Sequence, residues 1–298
     1  MKQDLITVII PVYNHENYVK ETIKSIIQQS YENVELIVIN DGSSDSSNES
    51  IKDIAQECEQ RFTKFTHIDK KNEGIIKTLN IGIKKAKGKY LYIIASDDIA
   101  EHNALTVLHE FLSVNPKYGL AVGGNTLMDD KGARCYWDMN SDIVYSEESA
   151  DYISFDDFLR KSRPTLDFLS DDFGTYENIL IGNHIPNGYL LDKSTVDDFQ
   201  GYSVESPLED LYLMLQIAKR KKLKFLEQPL FRYRWHANNS IKNTVKIGQV
   251  LHQTILQERN YCLTNGYSSI WFKRAYLPGL QYRFKKLKSM FVSQKVNK

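Results

Sequence analysis

Lys89-Tyr90-Leu91-Tyr92-Ile93-Ile94-Ala95-Ser96-Asp97-Asp98 is an apolar run that ends in two adjacent carboxylates. Its β-branched and aromatic residues predict a strand buried on both faces. In open α/β sheets ligands gather at the carboxyl ends of the strands, and carboxylate oxygens are hard donors suited to Mg²⁺ or Mn²⁺. Read alone, the pair admits two roles: part of a metal-assisted diphosphate site, or caps of the following helix.

Upstream, Ile6-Thr7-Val8-Ile9-Ile10, closed by Pro11, has the profile of a buried parallel strand. Asn14 is expected to cap a helix whose apolar positions are Val19, Ile23, Ile26 and Ile27. Leu36-Ile37-Val38-Ile39 is a second buried strand, and it runs into Asn40-Asp41-Gly42-Ser43-Ser44-Asp45 and one helix bearing Ile51, Ile54, Ala55 and Cys58. A short third strand, Phe65-Thr66-His67-Ile68, precedes Asn72-Glu73-Gly74 and a helix with Ile76, Leu79 and Ile83. After the opening strand come a helix with Leu105, Leu108, Phe111 and Leu112 and a fifth strand, Leu120-Ala121-Val122. Such alternation predicts an α/β fold with a mostly parallel, Rossmann-like sheet wound by right-handed crossovers. Pro11-Val12-Tyr13-Asn14 stands where a dinucleotide-binding Gly-x-Gly-x-x-Gly turn would be, and no Gly-Lys-Ser/Thr loop is present, which disfavours dehydrogenases and P-loop nucleotidases.

Beyond residue 123 the rhythm changes. Met128-Asp129-Asp130-Lys131-Gly132 reads as a hairpin turn, and the stretch to Gly182 lacks clear periodicity, so this half is expected to be mixed or antiparallel. Ser206-Pro207-Leu208-Glu209 has the form of a capping box with Pro at the first helical position, which would direct Glu209 back to the Ser206 N–H. Asp210, about 100° further around the helix, would then be free. Residues 225–229 and 230–235 read as two extended segments ending at His236. We therefore divide the chain into a parallel α/β half (1–123), a mixed half (124–240) and a basic amphipathic helical extension (241–298).

The 298 residues carry 38 basic and 38 acidic side chains, a formal charge of zero. No acid follows Glu258, and eight Lys or Arg lie from Trp271 onward, so a tail of +8 balances a body of −8. The tail interleaves these with Val250, Leu251, Ile255, Leu256, Trp271, Phe272, Tyr276, Leu277, Leu280, Phe284, Leu287 and Phe291, a pattern that fits either a membrane-surface element or a helix packed on the acidic body. No nucleic-acid reading module accompanies the charge. Cys58, Cys135 and Cys262 lack metal or redox spacing, no signal-peptide pattern opens the chain, and no apolar run reaches the ~20 residues of a membrane span. A cytoplasmic protein, peripheral at most on the inner membrane face, is the expectation.

Four features resemble, in order and spacing, the glycosyltransferases of family 2 with the GT-A fold. They are Ile9-Ile10-Pro11-Val12-Tyr13-Asn14, Val38-Ile39-Asn40-Asp41-Gly42-Ser43-Ser44-Asp45, Ser96-Asp97-Asp98, and Glu209-Asp210 heading a helix. Tyr233-Arg234-Trp235-His236-Ala237-Asn238-Asn239-Ser240 is similar to the family's Tyr-Arg-x-His segment. One departure is Ala95, where many members have a further Asp.

The resemblance implies a nucleotide pocket walled by Pro11, Val12 and Tyr13, with Asp41 holding the base, usually uracil, and Asn72 and Gly74 in a loop over the nucleotide. Asp97 would contact ribose or metal, Asp98 would ligate Mn²⁺ or Mg²⁺ with His236 as a further ligand, and Arg234 would meet the diphosphate. Asp210 would be the catalytic base, with Glu209 as helper or cap. The implied activity is inverting transfer of a sugar from a nucleoside-diphosphate sugar, UDP-linked in the usual case, to a saccharide or lipid-linked saccharide in surface polysaccharide synthesis. The alternative, which Ala95 raises, is a nucleotide-sugar-binding or scaffold protein of the same fold without catalysis.

Overall fold

A computed structural model describes residues 3–276. Ten strands form one sheet: β1 (Ile6–Val12), β2 (Val34–Asp41), β3 (Lys64–Lys70), β4 (Tyr90–Ile93), β5 (Ile99–Ala100), β6 (Tyr118–Met128), β7 (Arg134–Trp137), β8 (Ile143–Val144), β9 (Tyr189–Asp192) and β10 (Lys222–Arg234). Their order is β3-β2-β1-β4-β9-β6-β10-β5, with β7 and β8 forming a side arm on β6. The first four, β3-β2-β1-β4, are parallel, as the alternating pattern predicts. β6 and β10 are also parallel, whereas β9 runs antiparallel to both β4 and β6, and β5 antiparallel to β10. The expected fifth strand therefore exists as β6, but β9 separates it from β4.

Side-chain alternation in β1 shows how the sheet is clamped. Ile6, Val8, Ile10 and Val12 point to a core shared with helices Val19–Ile27, Ser47–Asp53, Ala55–Arg61 and Ala104–Val114. Ile9 points to the opposite core, where helices Ile75–Lys85, Tyr176–Ile181 and Glu209–Ala218 pack with Ile37, Leu91, Leu191 and Phe225. Each fully buried Ile, Leu or Val stabilises by about 1.5–3 kcal/mol, so this two-sided arrangement dominates the energetics.

Several local expectations change. The single helix through Ile51 and Cys58 is two helices that meet at Ile54. Asn14 does not cap the next helix, which begins at Val19 after Tyr18. Instead it takes a left-handed conformation (φ 54°) and its Oδ1 accepts from the Ser44 N–H at 2.8 Å. The two extended segments after residue 222 are one strand, irregular in register around Pro229. The hairpin at 128–132 is present: the Asp129 N–H donates to the Ala133 carbonyl at 2.9 Å and Gly132 supplies a positive φ.

The described part of the C-terminal extension packs on the body. Helix Thr244–Gln257 buries Ile255, and Trp271, in a helical stretch over 268–276, donates from Nε1 to the Ile255 carbonyl at 2.8 Å. Phe272 and Tyr276 are exposed, and Leu277, Leu280, Phe284, Leu287 and Phe291 lie outside the described residues. Among the described residues no helix is long and apolar enough to cross a membrane.

Candidate active site

The carboxyl ends of β1, β2 and β4 meet the end of β10. Asp97 and Asp98 follow β4 in a turn, and the turn sends them in opposite directions. Asp97 Oδ2 accepts from His236 Nε2 at 2.9 Å, and His15 Nδ1 lies 3.9 Å from its other oxygen. Each of His15, Asp97 and His236 offers a ligand atom within 4.8 Å of the others, a geometry that could hold a divalent cation. Two imidazoles and a carboxylate suit Mn²⁺ among the oxygen-seeking divalent ions. Burial pushes the Asp97 carboxyl upward, but the His236 hydrogen bond and the charges of both histidines outweigh it and hold it below the ordinary value.

Asp98 stands outside this group. Its side chain is buried, Oδ1 accepts from the Arg234 backbone N–H at 2.9 Å, and its carbonyl accepts from Thr22 at 2.8 Å. Desolvation and the neighbouring charge of Asp97 raise its pKa well above the usual carboxylate range, against the opposing pull of Arg234. An acid so held anchors the end of β10, and among the described residues Asp98, expected as a metal ligand, does not join the His15-Asp97-His236 group.

His15 carries no sequence signal of its own, and its position comes from the lacing of two loops. The His15 N–H donates to Ser47 Oγ at 2.9 Å, Asn14 N–H to Ser43 Oγ at 2.9 Å and Glu16 N–H to Asp45 at 3.0 Å, while His15 Nδ1 pairs with Ser96 Oγ at 2.8 Å. On the other side, His236 is fixed by Asn239, whose Oδ1 accepts its N–H at 2.6 Å. The Asn238 N–H points at His236 Nδ1 at 3.2 Å, which puts the ring proton on Nε2, toward Asp97.

Arg234 is spent on the protein. It is 1% exposed; Nε donates to the Asp97 carbonyl at 2.7 Å, Nη1 to the Asp129 and Asp130 carbonyls at 3.3 Å, and Nη2 to Glu21. With Tyr18 covering its guanidinium it reaches no ligand, which corrects its expected diphosphate role. Trp235 likewise belongs to the core, 4.5 Å from Trp137 and donating to the Ser141 carbonyl. A cavity of about 900 Å³ opens beside His236 between these aromatics, Tyr18 and Asn238; neither Glu209 nor Asp210 lines it.

At the end of β2, Asp41 is buried and accepts from Lys70 Nζ and from the Glu73 and Gly74 N–H groups, both at 2.9 Å. Burial pushes its carboxyl up, but Lys70 and these N–H donors bring it below the ordinary value. Asp41 thus ties the 72–74 loop to the sheet, and Gly42 is required there because a Cβ would lie 2.5 Å from the Asn72 nitrogen at a φ of 67°. Asn72 is exposed and Gly74 half-buried. Of the expected pocket wall, Tyr13 is half-exposed, Pro11 partly buried, and Val12 points into the core, so its side chain faces no ligand.

Glu209 and Asp210 open helix Glu209–Ala218, but no capping box forms. The N-cap is Leu208, whose N–H is held by Thr254 Oγ1 at 3.0 Å, while the Ser206 N–H closes a turn onto Ser203. Asp210 is not free either: Asn183 Nδ2 donates to Oδ2 at 2.9 Å and the Leu211 N–H to Oδ1 at 2.6 Å. Desolvation raises Asp210 against those donors, and desolvation with the Asp210 charge lifts Glu209 to about 7. Burial raises the Tyr233 hydroxyl, and the negative charges of Asp98, Asp97 and Asp210 add to that.

A family model of glycosyl transferase family 2 matches residues 7–168, more than half of the chain. Glycosyltransferase GlyA of Streptococcus pneumoniae is 33% identical over 144 residues, 48% of this chain and 20% of that protein. An uncharacterized glycosyltransferase of Rickettsia prowazekii is 34% identical over 160 residues, 52% of this chain and 48% of that one. The matches thus span about half or less of these relatives' length. In fold, the chain is similar to the mannosyltransferase PcManGT of Pyrobaculum calidifontis, solved with GDP-Man and Mn²⁺ (TM-score 0.64, 15% identity, 93% of this chain and 70% of that one). It is also similar to residues 1–349 of S. aureus TarS, solved with UDP-GlcNAc (TM-score 0.61, 14% identity, 91% and 72%). The sheet, the motif order and the family match agree: this chain belongs to glycosyl transferase family 2 and has the GT-A fold.

Proposed function

We propose that the protein is an inverting glycosyltransferase that moves a sugar from a nucleoside-diphosphate donor to an acceptor hydroxyl. The observation that carries this reading is the His15-Asp97-His236 group at the strand ends of a family 2 sheet, with the raised-pKa Glu209-Asp210 pair heading the helix of the second half. Residues 1–123 take the donor and 124–240 orient the acceptor. Asp41 accepts the uracil imide N–H with the acceptor position that Lys70, Glu73 and Gly74 leave on its carboxylate, which favours a UDP-sugar. Tyr13 and the 72–74 loop flank that base.

Asp97 and His236, with His15, would hold Mn²⁺ or Mg²⁺, which when bound neutralises charge on the departing diphosphate. Asp210, oriented by Asn183, takes the proton of the acceptor hydroxyl. The freed oxygen forms its bond to the anomeric carbon as the bond to the nucleoside diphosphate breaks on the opposite side, inverting the configuration. A carboxylate with a raised pKa is suited to this, because a base works best when its pKa lies near the working pH. The acceptor is a saccharide or lipid-linked saccharide, and the basic extension keeps the protein at the membrane surface where such acceptors reside.

Calorimetric titration with UDP and Mn²⁺ tests the donor half. Wild type binds UDP in a Mn²⁺-dependent manner and Asp97→Ala loses that dependence; identical binding by the two proteins overturns the assignment. Turnover separates this reading from a non-catalytic binding module: nucleotide-sugar binding with no transfer and no slow hydrolysis favours the module, to which Ala95 in place of an acid lends weight.

A further inference from the structure

His15 and His236 come from distant parts of the chain, and their rings meet beside Asp97, with centroids 5.9 Å apart at 89°. The nitrogens nearest that carboxylate are both engaged. His236 Nε2 bonds to Asp97 Oδ2 at 2.9 Å, and His15 Nδ1 pairs with Ser96 Oγ at 2.8 Å while lying 3.9 Å from Asp97 Oδ1. A nitrogen that ligates a cation has neither a proton nor a lone pair left for such a bond. Coordination therefore removes the contacts that now aim the two rings. The bonds that survive are on the backbone, from His15 N–H to Ser47 Oγ and from His236 N–H to Asn239 Oδ1, and they hold each main chain but leave the side-chain torsions open.

Tyr18 supplies the missing restraint. Its ring lies 5.1 Å from that of His236 at a tilt of 31° and 5.8 Å from that of His15 at 74°, and no other ring among the described residues packs on both. Such ring contacts persist when the nitrogens change partners. Tyr18 is itself fixed twice over. Its N–H donates to the His15 carbonyl at 3.0 Å, and its carbonyl accepts from the Glu21 and Thr22 N–H groups at 2.9 and 3.1 Å, which ties it to the first turn of helix Val19–Ile27. The Arg234 guanidinium lies over its ring, 4.9 Å from the centroid and within cation–π range. Tyr18 closely follows His15 in the chain and Arg234 closely precedes His236, so this stack fastens one histidine-bearing segment to the other. It also gives the buried Arg234 a purpose, because its hydrogen bonds make it a rigid support for the ring. Tyr18 borders the cavity on its free side, where no side chain stands ready to replace a lost ring.

We propose that Tyr18 is the positioning residue of the candidate cation site: braced by Arg234, it keeps the imidazoles of His15 and His236 turned toward a common point when a divalent cation displaces their hydrogen bonds. The proposal rests on the reading of His15, Asp97 and His236 as cation ligands. A metal-bound histidine is usually oriented by an acceptor for its second ring N–H. Here the second nitrogen of His236 faces the Asn238 N–H, a donor, so packing takes over that task.

The full chain is titrated with Mn²⁺ by calorimetry in the presence of UDP. Wild type binds the cation, Tyr18→Leu, which fills the space without a flat ring, binds it about tenfold more weakly, and Tyr18→Phe keeps wild-type affinity. Equal affinity in Tyr18→Leu, or a loss in Tyr18→Phe as large as in Tyr18→Leu, overturns the proposal. The visible absorption of Co²⁺ bound in place of Mn²⁺ separates positioning from folding, because at saturation its bands follow ligand geometry rather than affinity. The Tyr18→Leu spectrum should differ from wild type and the Tyr18→Phe spectrum should match it. A Tyr18→Leu protein with a lowered melting temperature in EDTA and an unchanged Co²⁺ spectrum has lost packing alone, which also overturns the proposal. Asp97→Ala keeps the two failures apart. If wild type binds no cation, or Asp97→Ala binds it as tightly as wild type, the ligand reading falls and the proposal with it; binding lost in Asp97→Ala but intact in Tyr18→Leu removes Tyr18 alone.

Discussion

Asp97-Asp98 and Glu209-Asp210 are both pairs of neighbouring acids, one in the turn after a strand and the other at the start of a helix. The turn after β4 splits the first pair: Asp97 meets two histidines and stays ionised, while Asp98 turns inward to a backbone N–H and is driven toward the neutral form. The helix keeps the second pair together, and neither acid has a cation within ion-pair distance among the described residues. Glu209 feels its neighbour's charge and is lifted to about 7. The difference teaches that the partners, not the acids, assign the chemistry. A carboxylate beside imidazoles is held in its charged form, whereas one buried with only neutral donors is pushed toward its neutral form.

The largest effect is expected at Asp210. Asp210→Asn keeps the shape and the Asn183 contact but cannot take a proton, so transfer should fall by about 10²–10⁴-fold with UDP affinity unchanged. Full turnover in that variant excludes the role, and loss of turnover in Glu209→Gln instead would move it one residue. The first pair can be broken in two ways. His15→Ala should weaken Mn²⁺ affinity about ten- to a hundredfold, in the range seen when metal sites lose supporting groups. Asp98→Ala should keep Mn²⁺ binding and lose about 1–3 kcal/mol of stability in denaturant titration, because the buried Arg234 N–H loses its acceptor. Loss of Mn²⁺ binding in a stable Asp98→Ala would return Asp98 to the ligands.

The parallel half of the sheet was legible because long β-branched runs and helical spacing repeat over five elements. β9 was not: Tyr189-Leu190-Leu191-Asp192 is four residues long, in a region without periodicity, and it is a strand because β4 and β6 leave a gap that its backbone fills. Gly188 permits that entry, since a Cβ there would lie 2.3 Å from the Phe231 ring. Asp97, His236 and the Glu209-Asp210 pair are singled out by the order and spacing of the motifs, and the structure sets Asp97 against His236 and the acid pair at the head of a helix. His15 could not be, because its role depends on loops thirty residues apart being laced together, and a lone histidine after a turn carries no such signal. Arg234 misled for a related reason: an arginine beside a histidine at a strand end suggests an anion, yet four carbonyl and carboxylate partners from two loops and a helix had already claimed it. The supposed capping box failed because Thr254, from a helix forty-six residues away, holds the Leu208 N–H at the helix entrance.

The smallest expected effect concerns the pH behaviour of the second pair. Folded Glu209 titrates at about 7, above the 4.5 of a free side chain, so the native state holds its proton more tightly than the unfolded chain does. Stability therefore falls as pH rises from about 4.5 through about 7, the reverse of a salt-bridged acid. Glu209→Gln removes that loss, and its melting temperature should gain on wild type between pH 5 and pH 8. In the same interval the wild-type kcat/KM should rise through an inflection near 7 that the variant lacks, because ionisation of Glu209 changes the field on Asp210. A variant whose melting temperature tracks wild type at both pH values would mean that Glu209 is solvated like a surface acid. Asp210 would then stand alone as the strained member of the pair, and the contrast with Asp97-Asp98 would narrow to one residue on each side.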